Sequence, residues 1–136
     1  MGTMELDALV AAARDVRANA YAPYSKFRVG AAVMGLSGRI YVGCNIENAT
    51  YGATVCAERA AICSMVASGE TRLTAVAVYT DCNPAASPCG ICRQVLTEFA
   101  DDAPVIVVSP HHRSVFSLAA LLPERFVITP GENLYG

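Results

Sequence analysis

The sequence predicts an α/β protein, a mixed sheet with helices on both of its faces. Three observations carry that expectation. The first twenty residues have helical apolar spacing, two short β-rich runs then flank a Ser-Gly turn, and strand-like and helical segments alternate from there on. A chain of 136 residues can bury one core, so one domain is expected over residues 1–136.

Taken in order, residues 4–20 carry Leu6, Leu9, Val10, Ala13, Val16 and Ala20 at helical intervals. Glu5 and Asp7 lie early and Arg14 and Arg17 late, which suits the helix dipole, and Pro23 closes the segment. "FRVGAAVMGL" and "RIYVGC" flank Ser37-Gly38 and read as a hairpin. A polar loop, "NIENATYGAT", leads into a predicted helix from Val55 to Ala67 that Gly69 ends. "LTAVAVYT" at 73–80 is apolar almost throughout, as a central strand should be. Beyond Pro84, Ser87 is the expected N-cap and Pro88 the first residue of a helix running to Phe99. "PVIVVS" at 104–109 reads as a buried strand, 110–113 as a turn, "SVFS" as a short strand and "LAALL" as a last helical turn. The order of these elements implies strands of both directions in one sheet.

Composition narrows the function. Ten basic and twelve acidic residues are interspersed without a run of Lys or Arg, so a polymeric nucleic acid is not the expected partner. No apolar run is long enough to cross a bilayer, and "MGTMELDALV" lacks the basic-then-apolar order of a secretory signal. Leu6 stands where a myristoylation signal wants Ser or Thr. A soluble, cytoplasmic protein with no membrane partner is expected. An apolar content of 54% in so short a chain also points to surface covered by other subunits.

Six cysteines occur in a chain with no export signal, which favours metal or thiol chemistry over a disulfide framework. Cys89 and Cys92 form a C-x-x-C near a predicted helix start, and Cys56 falls at the start of another. Three thiolates with the fourth position open describe a catalytic rather than a structural zinc site. Glu58, two residues beyond Cys56, then lies near the ion without binding it, able to take a proton from water that the cation has acidified. Three thiolates leave Zn²⁺ with a surplus of negative charge. Helix N-termini aimed at the sulfurs, and Arg59 and Arg93 donating hydrogen bonds to them, would offset it. A structural zinc or a redox C-x-x-C is the competing reading, but neither gives Glu58 a task. Cys44, Cys63 and Cys82 read as ordinary small apolar residues, and His111-His112 as a solvated turn.

Cys-x-Glu followed by Pro-Cys-x-x-Cys is the established signature of the zinc deaminases. The whole pattern, from "YAPYSKFRVGAAV" through "GCNIENATYGATVCAERAAI" and "SPCGICRQVL" to "LLPERF", resembles the small homotetrameric cytidine deaminases. That resemblance implies a three-layer α/β/α sandwich around a five-stranded mixed sheet whose last two strands are antiparallel. It implies Cys56, Cys89 and Cys92 as zinc ligands and Glu58 as proton shuttle in the hydrolysis of cytidine and deoxycytidine, with release of ammonia. It also implies that Phe27 packs on the nucleoside, Asn45 and Glu47 bind ribose hydroxyls, and the Ala57 amide meets the pyrimidine carbonyl. Tyr51 and Phe126 match positions that reach a neighbouring subunit's site. On residue chemistry alone, Asn45 and Glu47 would read as a turn-former and a solvated loop residue, and Phe27 and Phe126 as core aromatics.

The Glu47 carboxylate would repel a phosphate beside the ribose, so free nucleosides are expected over nucleotides. Arg28 stands where many relatives carry Pro, which bears on the stiffness of the loop after Phe27. Deamination of an aminopyrimidine antibiotic such as blasticidin S is a second reading, nucleic-acid editing a third, and a non-catalytic zinc module a fourth. The "NIEN" segment and the length of the match favour the nucleoside.

Overall fold

The computed structural model describes residues 2–128 and residue 131. Helix α1 (Thr3–Val16) leads through a 3-10 turn, Arg17–Asn19, to the hairpin β1 (Gly30–Gly35) and β2 (Ile40–Cys44). A second 3-10 turn, Tyr51–Ala53, precedes α2 (Ala57–Ala67). Strand β3 (Leu73–Tyr79), α3 (Gly90–Thr97), β4 (Pro104–Val108), β5 (Arg113–Ser117) and α4 (Leu118–Leu121) complete the order.

The five strands form one sheet in the order β2-β1-β3-β4-β5. β1 runs antiparallel to both neighbours, β3 and β4 are parallel, and β5 returns antiparallel along β4. The parallel pair needs a crossover, which α3 supplies. The continuous apolar run at 73–79 is therefore the middle strand, buried on both faces.

Alternation along the strands divides the core into two layers. Ala32, Met34, Ala75, Ala77, Ile106 and Val108 face Leu9 and Ala13 of α1. Ala31, Val33, Val76, Val78, Val105 and Val107 face the other way, toward Ala61 and Met65 of α2 and Leu96 of α3. The result is the expected three-layer α/β/α sandwich. On β2, a Cβ at Gly43 would stand 2.3 Å from the Ala61 amide nitrogen and 2.5 Å from the Ala57 carbonyl oxygen. Only glycine lets the N-terminal half of α2 lie so close to the sheet.

Two helix starts differ from expectation. α2 begins at Ala57 and α3 at Gly90, with Cys56 and Cys89 as extended N-cap residues. Ser87 and Pro88 stay outside α3 because Arg93 holds them there, its guanidinium donating to the Pro88 carbonyl (2.8 Å) and the Ser87 hydroxyl (3.0 Å). Gly69 ends α2 as expected, at φ 95°, in a Schellman closure with Glu70 N–H on the Met65 carbonyl and Gly69 N–H on that of Val66.

Candidate metal centre and active site

The site lies where β3 ends, at the N-termini of α2 and α3. A cysteine at the N-cap of each helix, and Cys92 one turn into α3, put three sulfurs in one place. All lie within 4.8 Å of one another, and Cys56 Sγ is 3.9 Å from Cys89 Sγ. Tetrahedral zinc with Zn–S bonds of about 2.3 Å sets sulfurs about 3.8 Å apart, so the cluster fits that ion. Both helix dipoles direct positive ends at the sulfurs.

The thiols share protons unequally. Hydrogen bonding from Cys92 first, then from Arg59 and Cys89, draws Cys56 down to about 5 against the cost of burial. The Cys92 thiol, fully buried and bonded to Cys56, is pushed up instead. A bound divalent cation deprotonates coordinating thiols outright. Arg59 donates through one terminal nitrogen to Cys56 Sγ (3.5 Å) and the Thr54 carbonyl (3.3 Å), while its buried Nε has no partner among the described residues. Arg93 does not do what was expected of it. Its three donor directions go to Pro88, Ser87 and the Leu121 carbonyl, so it fixes the segment before Cys89 without touching sulfur.

Beside the sulfurs is a cavity of about 190 Å³. Phe27, Asn45, Cys56, Ala57, Glu58 and Cys89 line it, so six expected site residues come together. This is below the roughly 300–1,000 Å³ of a drug-sized pocket, and it suits one ring. Glu58 is only 5% exposed there, and burial above all, with the Cys56 charge adding to it, raises its carboxyl to about 7. A group balanced between its two forms near neutrality suits proton transfer in both directions. The Ala57 amide is the first of α2, one of those without an intrahelical acceptor.

The Asn45 side chain is buried and half committed. Its Oδ1 accepts from Val29 N–H (2.8 Å) and its Nδ2 donates to the Phe27 carbonyl (2.7 Å), leaving one N–H and one lone pair. Glu47 lies outside the inner cavity, in an adjoining hollow of about 380 Å³ with Tyr24, Ser25 and Tyr51. Thr54 lines both spaces. Glu47 accepts from the Tyr24 and Ser25 amides (3.0 and 3.1 Å) and from the Ser25 hydroxyl, bonds that hold its carboxyl below the usual range. About one of its roughly four lone-pair positions stays open.

Tyr51 is 79% exposed and meets Tyr24 edge-on, ring centroids 6.4 Å apart. Phe126 is 69% exposed and lines neither space. Its backbone is tied to the Gln94 side chain on α3, N–H to Oε1 (3.2 Å) and carbonyl to Nε2 (2.9 Å). Thr80 is a lining residue that the sequence reading passed over. As the first polar residue after the central strand it marks the carboxyl edge of the sheet, where α/β proteins bind ligands.

Fold and site together define a metal-dependent hydrolase with a buried carboxyl group beside a three-sulfur cluster. Residues 4–108 match the family model described as the cytidine and deoxycytidylate deaminase zinc-binding region. The chain is 42% identical to a cytidine deaminase of Sporosarcina psychrophila over 125 residues, 90% of this chain and 92% of that one. It is also 42% identical to a cytidine deaminase of Mycobacterium tuberculosis, covering 84% of each. The crystal structure of a cytidine deaminase from Burkholderia pseudomallei superposes with a TM-score of 0.86 at 40% identity, over 93% of this chain and all of the other. The chain belongs to the cytidine and deoxycytidylate deaminase family, and the three cysteines, a cluster that could hold a metal, lie within the residues that match its zinc-binding region.

Proposed function

We propose that this protein hydrolyses cytidine and deoxycytidine to uridine and deoxyuridine, releasing ammonia, in pyrimidine salvage in the cytoplasm. The observation that carries it is the three-sulfur cluster beside a buried Glu58 in a cavity sized for one ring. Zinc held by Cys56, Cys89 and Cys92 supplies one kind of chemistry, lowering the pKa of water so that it becomes a nucleophile at neutral pH. Glu58 would take a proton from the water that adds to C4 and hand it to the ring nitrogen. It then carries the second proton to the amino group, which leaves as ammonia when the C4–N bond breaks. Phe27 packs on the ring and the Ala57 amide donates to its carbonyl. Arg59 tempers the charge on Cys56.

The ribose then falls toward the outer hollow, with the free N–H of Asn45 and the open lone pair of Glu47 for its hydroxyls. Since its hydrogen bonds keep Glu47 ionised, a phosphate there would be repelled, and nucleosides are preferred to nucleotides. Tyr51 and Phe126, large and exposed, complete a neighbour's site in a homotetramer. All six cysteines are free, as a reducing compartment requires, and no described helix is long and apolar enough to cross a membrane.

The test is purified protein with zinc counted per chain, assayed on cytidine by the ultraviolet change and by ammonia release, with CMP in parallel. Turnover of cytidine far above CMP is expected. Protein with one zinc per chain that leaves cytidine intact would refute the reading. Equal use of CMP would remove Glu47 from substrate choice.

A further inference from the structure

We infer that Arg17 is a positioning residue of this site, a clasp that ties together two neighbouring segments of the cavity lining. Arg17 sits in the 3-10 turn that ends α1, outside every motif of the cysteine segments, with its side chain only 26% exposed. Its Nε donates to the Arg28 carbonyl (3.1 Å), and its other arm pairs with the Asp81 carboxylate. Those partners belong to two neighbouring segments that run on from the paired strands β1 and β3, where Gly30 stands opposite Tyr79, and both segments line the ring cavity. Arg28 lies between Phe27 and Val29, both lining residues. Asp81 follows Thr80, another lining residue, and opens the loop that runs to Ser87 and Cys89.

The extended segment 27–29 alternates its backbone groups from side to side. Asn45 takes the Phe27 carbonyl and the Val29 amide on one side, and Arg17 takes the Arg28 carbonyl on the other. Neither grip alone prevents the segment from sliding toward the remaining partner. Arg28 reinforces the second grip by donating from its own guanidinium to the Ala18 carbonyl (3.4 Å). On the neighbouring segment, the buried Thr80 hydroxyl accepts from the Ala86 amide (3.2 Å) and contacts Cys82 Sγ (3.1 Å). The loop anchored by Asp81 is thus also pinned near its far end, just before Ser87.

A planar guanidinium suits this task because it serves two acceptors in different directions from one rigid group. A lysine, with one compact charge, cannot fix both. The clasp therefore sets how closely Phe27 approaches a ring held near Glu58 and the sulfurs.

This inference rests on the proposed deaminase reading for its kinetic consequence only. In zinc-loaded protein, Arg17→Gln should lower kcat/KM for cytidine by roughly tenfold, chiefly through KM, within the up to ~10²-fold that a 1 Å misplacement costs. Zinc per chain should not change. Hydrogen exchange should quicken at amides of residues 27–29 and 81–88 but not in α2. Arg17→Lys should recover little. Asp81→Asn, at a more exposed position, should quicken 81–88 alone. Unchanged exchange in both segments, or exchange quickened equally through α2, would overturn the inference. So would Arg17→Gln with kcat/KM within twofold of wild type. If wild type fails to turn over cytidine, the deaminase reading falls, and the exchange measurements still decide the clasp.

Discussion

At the scale of single residues, what distinguishes this site from a structural metal centre is Glu58. A carboxyl at 5% exposure, with its ordinary pKa lifted to about 7 by burial, pairs with no cation among the described residues that would justify its place in a cavity wall. Glu58→Gln keeps the size and leaves the sulfurs alone, but the amide cannot receive a proton. Turnover should fall by ~10²–10⁴-fold while zinc per chain stays the same. Measured kcat at the wild-type level in that variant would exclude Glu58 from proton transfer. The neighbouring arginines show how far adjacency in sequence can be trusted. Arg59 lies three residues after Cys56 and Arg93 directly follows Cys92, yet only Arg59 reaches sulfur. On α2 the short step back to the N-cap aims Arg59 at Cys56. On α3 the carbonyls of Pro88 and Leu121 and the Ser87 hydroxyl compete for Arg93 and engage each of its three nitrogens.

At the scale of elements, the metal cluster depends on where two helices begin, and that depends on how α2 lies on β2. Gly43 is opposite the first turns of α2, and the atoms that an added Cβ would strike are backbone, which cannot rotate away. Gly43→Ala must push α2 outward and with it Cys56, the N-cap. A loss of about 1–3 kcal/mol is expected in denaturant unfolding, accompanied by weaker zinc retention. Gly52→Ala is the control, because a Cβ there meets nothing within 4 Å. Equal stability of the two variants would contradict the close approach. Much at this scale was legible beforehand, since strand alternation, the Gly69 stop and the cysteine pair are local patterns. The start of α3 was not. Ser87-Pro88 is a good cap pair by local rules, and it took Arg93 and Leu121, the latter twenty-eight residues further on, to keep it extended. Arg17 read only as a residue suiting the helix dipole for the same reason, its partners being eleven and sixty-four positions away.

At the scale of the whole molecule, the question is what the exposed apolar side chains meet. The inner cavity is walled by one chain, but the outer hollow is open, and Tyr51, Ile91, Val115, Phe126 and Val127 stand largely exposed. Phe126 is the informative one. Two hydrogen bonds to Gln94 hold its backbone against α3, so an ordered segment presents the ring to solvent. A rigid exposed aromatic suits insertion into another copy, as the proposed shared site requires. Phe126→Ala and Glu58→Gln chains should each be nearly inactive when expressed alone. Mixed oligomers, co-expressed under two tags and purified through both, should regain turnover. A Phe126→Ala chain keeps Glu58, and a Glu58→Gln neighbour lends it an intact Phe126, so about one quarter of sites are complete in a random mixture. Activity near a quarter of wild type in the mixed oligomer would establish the exchange of Phe126 between subunits. Activity no greater than the mean of the two parents would refute it, as would full activity in Phe126→Ala alone.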